Sequence, residues 1–256
     1  MKKFILNVRP AILQSILTNL LYGNSLERRK FYFLNKYGFY MFLDPLNHLG
    51  NILTNNKLYE KDTCYLINKY IEKDSIFFDI GANEGFFSVL ASKKIITGKI
   101  YCFEPQKNLL KIIEKNLLKN NFKNFFLLNF GIGESEYFTN LNVFQDTNTG
   151  SSSILKKHFF NTKKTKIKVK SLDQFVSEEK LYSQIDLVKI NIEGYEINAI
   201  KGMKNLLKEK KINTLLIDYH MHIITNEDRL EHEKLILSFG YKKIKTNDRN
   251  YICYQT

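Results

Sequence analysis

The sequence predicts an α/β fold, a mostly parallel sheet with helices on both faces. Three observations predict it. From about residue 75, short apolar runs alternate with stretches of helical spacing. The first unit, Ser75 to Lys93, has an apolar run (Ile76, Phe77, Phe78) ending in Asp79. Gly81-Ala82-Asn83-Glu84-Gly85 follows, then Phe86, Phe87, Leu90 and Ala91 at helical spacing. This reads as strand, tight glycine turn, helix. A second run, Ile100 to Phe103, ends in Glu104, an acid about 20 residues past the turn and placed to hold ribose hydroxyls. The sheet therefore reads as nucleoside-binding.

The elements follow in order. Residues 1–74 read as an N-terminal extension, and residues 75–256 as one domain. Met1 to Gly23 starts like a weak signal sequence, with Lys2 and Lys3 before apolar residues. Arg9 and Pro10 interrupt it, and the apolar run is too short to span a bilayer. Ile12, Leu13, Ile16, Leu17, Leu20 and Leu21 share one helical stripe. That fits a helix packed on the domain or on a partner subunit of a homo-oligomer. The alternative is a helix lying peripherally on a membrane surface. Phe31 to Leu34 and Phe39 to Leu43 read as a hairpin, and Leu58 to Ile71 as a helix with Tyr65, Leu66 and Tyr70 inward.

The core reads as strand 76–79, helix 84–94, strand 99–103, helix 106–121 and strand 125–129. Residues 131–170 break the rhythm and read as an insertion over one end of the sheet. Within it, Lys166, Lys168 and Lys170 alternate with Ile167 and Val169, as in a half-exposed strand. Ser171-Leu172-Asp173 enters a capped helix. Strand 186–191 carries a buried Lys189. Helix 195–209 follows, then strand 213–218 running on toward Tyr219 and His220. Helix 227–239 ends at Gly240. Residues 241–245 and 251–254 close the chain as an antiparallel pair.

The bulk composition narrows the classes. At 256 residues and 44% hydrophobic, the chain is globular. Cys64, Cys102 and Cys253 have no metal-site spacing and no disulfide framework, which points to a reducing, cytoplasmic compartment, with the inner membrane face as a peripheral option. The net charge of +13 is nearly all lysine, with arginine only at 9, 28, 29, 229 and 249. Together with abundant Asn, Ile, Phe and Tyr, this is the composition of an AT-rich coding sequence rather than of a polyanion-binding surface.

Charge also bears on the cofactor. A dinucleotide site wants G-x-G-x-x-G, so that bare backbone meets pyrophosphate. The turn here fails that spacing, and Asp79 and Glu84 crowd it. Two carboxylates would repel a diphosphate. They suit a cofactor bearing an ammonium and a sulfonium without phosphate, which is S-adenosylmethionine.

Several separated motifs then line up. FFDIGANEGFFS, GKIYCFEP, NFGIG, SSSIL, VKSLDQF, DLVKINIEGYE and LLIDYH run in order from about residue 75 to 220. In this ordered set the chain resembles the FkbM family of S-adenosylmethionine-dependent methyltransferases. The resemblance implies a Rossmann-like class I methyltransferase sheet, mostly parallel with one reversed terminal strand. It implies methyl transfer to a hydroxyl of a sugar or glycolipid acceptor. It assigns Asp79, Gly81, Asn83 and Gly85 to the first cofactor motif and Glu104 to the ribose. Asn129 to Ile132, with Asn129 and Gly131 as the contacts, falls where adenine is held. The family's K-I-D-x-E-G-x-E reads Lys189-Ile190-Asn191-Ile192-Glu193-Gly194-Tyr195-Glu196 here. Asn191 replaces the usual Asp. It keeps the shape but cannot be a base or an anionic metal ligand.

For catalysis, Lys189, Glu193 and His220 stand at the strand ends where a crevice opens. His220 is a candidate base. For Lys189 the bland reading is a structural ion pair with Glu193 or Asp218. His220 and His222 share a face if the strand continues extended, and with Asp218 they raise a metal reading; no metal is assigned. Ser152, Ser153, Asn191 and Glu196 are expected around the acceptor, between the 150–153 loop, the 191–196 turn and His220. Two rivals stand beside this function. One is a methyltransferase-like binding module without turnover, supported by Asn191. The other is RNA methylation, supported by charge alone and opposed by the lack of an Asn-Pro-Pro-Tyr-like element.

Overall fold

A computed structural model describes residues 30–144, 152–155, 162–244, 246 and 251–256. The expected N-terminal stripe, its membrane or subunit contact, and Gly150 and Ser151 lie outside the described residues.

The described part of the extension opens with an antiparallel hairpin of β1 (Phe31–Leu34) and β2 (Tyr40–Leu43). Helix α1 (His48–Thr54) has no counterpart in the sequence reading. Its signals are Asn47, whose side chain accepts from the Gly50 N–H, and Leu49 and Leu53 one turn apart on the buried face. Helix α2 (Lys61–Tyr70) starts later than expected, and Tyr65, expected inward, is 64% exposed. Thr63, Cys64, Leu66 and Ile67 take the inner face instead.

The central sheet contains β3 (Ile76–Ile80), β4 (Lys99–Phe103) and β5 (Phe125–Leu128), linked by α3 (Phe86–Ser92) and α4 (Lys107–Lys119). A second three-stranded sheet follows, of β6 (Gly131–Ile132), β7 (Tyr137–Phe144) and β8 (Thr162–Lys170) in the order β6-β8-β7. This is the region read as an insertion. Ile167 and Val169 of β8 are buried against Leu141 of β7, while Lys166 stays exposed. The sequence reading did not see β7.

Then come α5 (Leu172–Glu178), β9 (Ile185–Ile190), α6 (Glu196–Lys201), α7 (Lys204–Lys208), β10 (Ile212–Asp218), α8 (Asn226–Ser238), β11 (Lys242–Ile244) and β12 (Tyr251–Gln255). The expected single helix 195–209 is two. A Cβ on Gly202 would stand 1.9 Å from the Gly133 carbonyl oxygen, so the chain passes there without a side chain. The Gly202 carbonyl accepts from the Asp173 N–H at 2.9 Å. The Asp173 carboxylate then accepts the Asn205 and Leu206 N–H groups, each at 3.0 Å, and caps the new helix.

The main sheet runs β11-β12-β10-β9-β3-β4-β5. β10, β9, β3, β4 and β5 pair in parallel, and β12 is antiparallel to both β10 and β11. The reversed strand is last in the chain yet lies inside the sheet, with β11 as the edge. Period-two alternation splits the core between two faces. Phe77, Ile100, Cys102, Leu187 and Leu216 pack with α2, α3, α4 and the hairpin residues Phe39, Met41 and Leu43. Phe78, Ile80, Phe103, Val188, Ile190, Leu215 and Ile217 pack with α5 to α8. This is a class I Rossmann-like sheet.

Candidate active site

The chain leaves β3 toward β4 and β5 on one side, and later fills β9 and β10 on the other. β3 and β9 are therefore the switch point, where the loops after neighbouring strands part and a crevice opens. A cleft of about 270 Å³ lies there. Its wall includes Gly81, Asn83, Glu104, Gly131, Ser152, Lys189, Asn191, Glu193 and His220, all expected from sequence. The remaining expected residues, Asp79, Gly85, Asn129, Ser153 and Glu196, are not among those that line it.

Register places Asp79 beside Lys189. Asp79 Oδ1 accepts from Lys189 Nζ at 3.0 Å and Oδ2 from Ser88 Oγ at 2.7 Å; the two charged side chains are 0% and 2% exposed. Lys189 also donates to the Gly81 carbonyl at 3.1 Å and lies over the Phe87 ring. Its partner is thus Asp79, not Glu193 or Asp218. Asp79 holds the glycine turn through Lys189 rather than facing a ligand.

The turn is compact because Gly81 has φ 76° and a Cβ there would sit 2.0 Å from the Asn191 carbonyl oxygen. Only glycine lets the β3 and β9 loops meet so closely. Gly85, at φ 80°, turns the chain into α3 against Ile113.

Glu84 corrects the charge argument made from sequence. It is fully buried in the cleft wall, and its carboxylate is paired with Lys30 at 2.6 Å. Both acids of the turn are therefore neutralised by lysines, and crowding by Asp79 and Glu84 does not by itself exclude phosphate.

Glu104 does face the cleft. Its Oε2 accepts the Asn83 N–H and its Oε1 the Gln106 N–H, each at 3.0 Å. Burial pushes its pKa up to about 7, against the lowering effect of those two N–H groups. Asn83 lines the cleft, with a buried Oδ1 that has no partner among the described residues. Asn129 instead donates to the Glu104 and Pro105 carbonyls, at 3.3 and 2.9 Å, and ties β5 to β4.

The other end of the cleft is an acid cluster around one histidine. Glu196 is fully buried, and its Oε1 accepts from the Ile192 and Gly194 N–H groups and from His220 Nδ1 at 2.9 Å. His220 Nε2 lies 3.4 Å from Glu193 and 4.0 Å from Asp218. Asn191 Nδ2 donates to Asp218 Oδ2 at 3.2 Å. Ser153 Oγ donates to the Glu193 carbonyl at 2.8 Å and so pins the 152–155 segment to the turn.

Burial disfavours charge on His220. The hydrogen bonds that His220 donates to Glu193 and Glu196 and the nearby carboxylate charges outweigh it and push the pKa up to about 10. His220 is therefore an imidazolium at neutral pH. Burial pushes Asp218 up to about 6, partly offset by His220. The strand does not continue extended past Asp218: the Ile223 N–H returns to the His220 carbonyl in a turn, and His222 is exposed. Among the described residues no three His, Cys, Asp or Glu side chains are grouped to hold a metal ion.

Sequence reasoning weighed Asp218 only as a partner of Lys189 or a metal ligand, although it is an acid at a strand tip, the same signal that singled out Glu104, and it lines the cleft. His48, Leu49, Tyr59 and Glu60 of the extension also line the cleft, and nothing local in the sequence marks them.

Together, the sheet order and the cleft at its switch point define a sheet of the class I methyltransferase type. The comparisons then name the family. The model of the methyltransferase FkbM domain matches residues 79–243, and the chain belongs to that family. It is 22% identical to methyltransferase 1 of Beauveria bassiana, over 56% of this chain and 63% of that protein. It is also 22% identical to the hexuronic acid methyltransferase AglP of Haloferax volcanii, over 63% of this chain and 62% of that protein. The crystal structure of the methyltransferase FkbM from Methylobacillus flagellatus superposes with a TM-score of 0.51 at 20% identity, over 73% of this chain and 44% of that one. The matches thus span less than two thirds of each relative.

No helix among the described residues is long and apolar enough to cross a membrane.

Proposed function

We propose that the protein transfers a methyl group from S-adenosylmethionine to a hydroxyl of a sugar in a glycan or glycolipid. The observation that carries the cofactor is Glu104. Its carboxylate lies in the cleft at the second strand tip, and each oxygen accepts one backbone N–H while keeping capacity for a ribose hydroxyl. The orphaned Asn83 Oδ1 and the Gly81–Gly85 turn fit the amino-acid end of such a cofactor, and Gly131 and Ile132 fit its base. The sugar reading draws support from the likeness to the hexuronic acid methyltransferase.

When bound, the cofactor supplies an activated methyl on a sulfonium. The chain's residues align the acceptor and take its proton. His220 carries a proton already and has no lone pair to offer, so base duty passes from it to the carboxylate beside it. Asp218, with Oδ2 held by Asn191, takes the hydroxyl proton; a pKa of about 6 suits that task near neutral pH. His220 holds Glu193 and Glu196 in place and offsets their charge. Lys189 is spent on Asp79 and Gly81 and orients the turn.

Calorimetry with S-adenosylmethionine, its demethylated product and NAD tests the cofactor. Glu104→Ala should cost about 1.5–3 kcal/mol of binding, since the lost acceptor is charged. Labelled methyl transfer to sugars, lipid-linked glycans and transfer RNA tests the acceptor, and Asp218→Asn should slow transfer by about 100-fold or more. NAD binding in place of the sulfonium cofactor overturns the reading. Transfer to RNA alone replaces the sugar.

A further inference from the structure

Glu84 belongs to the glycine turn by sequence, but its side chain serves the extension. Lys30 Nζ reaches Oε1 at 2.6 Å, and Asn47 Nδ2 donates to both oxygens at 3.1 Å. Asn47 Oδ1 in turn accepts the Gly50 N–H at 2.6 Å and caps α1. The Glu84 carbonyl accepts from Asn116 Nδ2 at 2.8 Å, and Asn116 Oδ1 accepts the Phe42 N–H of β2 at 2.5 Å. One residue of the turn is thus tied at both ends to residues 30–47. Glu84, Asn47 and Asn116 are all buried, so these bonds are shielded from water. The same segment then places His48, Leu49, Tyr59 and Glu60 in the cleft wall, and Tyr59 packs edge-on against Phe86 at the start of α3.

We infer that residues 30–74, which precede the family-matched segment, form a working wall of the cofactor cleft, and that Glu84 is the positioning residue that fastens them to the glycine turn. Docking of this segment and binding of the sulfonium cofactor are then one coupled equilibrium: each stabilises the other by the same factor. This rests on the cofactor reading above.

The test uses the full chain, with the demethylated cofactor as probe. Asn47→Asp keeps an acceptor for the Gly50 N–H, so the helix cap survives. It removes the Nδ2 donor and sets a carboxylate against Glu84. Binding should weaken by about tenfold or more. Trypsin should cut faster after the exposed Lys57 and Lys61. Adding Glu84→Gln reverses the polarity of the contact: the Gln amide donates to Asp, and Lys30 gains the new carboxylate as partner. The double variant should return to within about threefold of wild-type affinity. In wild type and double variant the ligand should slow cleavage at both lysines. A contact that only stabilises the fold would lower the melting midpoint of Asn47→Asp and leave the cofactor affinity of the folded protein unchanged.

Wild-type affinity in Asn47→Asp, or a double variant no better than the single, overturns the inference alone. Wild-type protein that binds no sulfonium cofactor overturns the functional reading and this inference with it. If Asn47→Asp fails to fold, the double variant decides.

Discussion

Lys189→Met is the sharpest test of how the cleft is built. Methionine keeps an unbranched apolar stem, with sulfur in place of one methylene, and removes the ammonium. Asp79, fully buried, is left with Ser88 Oγ at 2.7 Å as its remaining partner, and the Gly81 carbonyl loses its donor at 3.1 Å. Removing one partner of a buried pair costs about 3–5 kcal/mol, because the other charge stays behind uncompensated. At about 2–4 °C per kcal/mol for a domain of this size, the melting midpoint should fall by roughly 6–20 °C. Adding Asp79→Leu removes the stranded charge, and well-packed apolar replacement of a buried pair is often neutral. The double variant should therefore recover at least half the loss. Cofactor affinity should not return with it, since the Gly81 carbonyl still lacks its anchor. Thermal and urea melts with calorimetry read both quantities. A Lys189→Met loss below about 1 kcal/mol, or a double variant less stable than the single, would refute the reasoning.

Two pH dependences follow from the same site. The folded state holds the His220 proton up to about 10 against an ordinary 6.5, so its contribution is fully present below pH 6.5 and is lost as pH rises through 10. The unfolding free energy of wild type, read from urea melts, should decline over that window, by at most about 1.4 kcal/mol per pH unit, and His220→Asn should lack that component. Matching slopes in the two proteins would count against an imidazolium held by three acids. Glu104 behaves in the opposite sense for ligand and fold. Its folded pKa of about 7 exceeds the ordinary 4.5, so without ligand the folded state keeps the proton longer and loses stability as pH rises through that window. Ribose hydroxyls donate to the ionised form, so cofactor affinity should rise from pH 6 to 8 with proton release, and Glu104→Gln should flatten it. Calorimetry in buffers of different ionisation enthalpy counts the proton, and affinity independent of pH would remove Glu104 from the ribose.

The acid cluster sets the chemistry of the acceptor end. Glu193, Glu196 and Asp218 gather around His220, and the histidine is the cation that lets them approach. Asn191 fits this arrangement. A carboxylate at that position would stand beside Asp218 Oδ2, where the Asn191 amide now donates.

The alternation of strands and helices from residue 75, the glycine turn, the strand-tip acid Glu104, the buried position of Lys189 and the closing antiparallel pair of strands were legible in the residues alone. Each is a local signal: a period, a turn residue or a charge within an apolar run, and local patterns survive folding because they dictate which face is buried. Tertiary structure decided the partners. That Asp79 pairs with Lys189 depends on β3 and β9 being neighbours, 110 positions apart in the chain. That Glu84 is held by Lys30 and Asn47 depends on the extension folding over α3. That His220 is charged depends on the turn after Asp218 swinging its ring onto Glu193 and Glu196. A carboxylate reads the same in sequence whether it faces a ligand, a lysine or a histidine. Its role is set by what desolvates it and what lies within about 4 Å, and both are fixed only when distant segments pack.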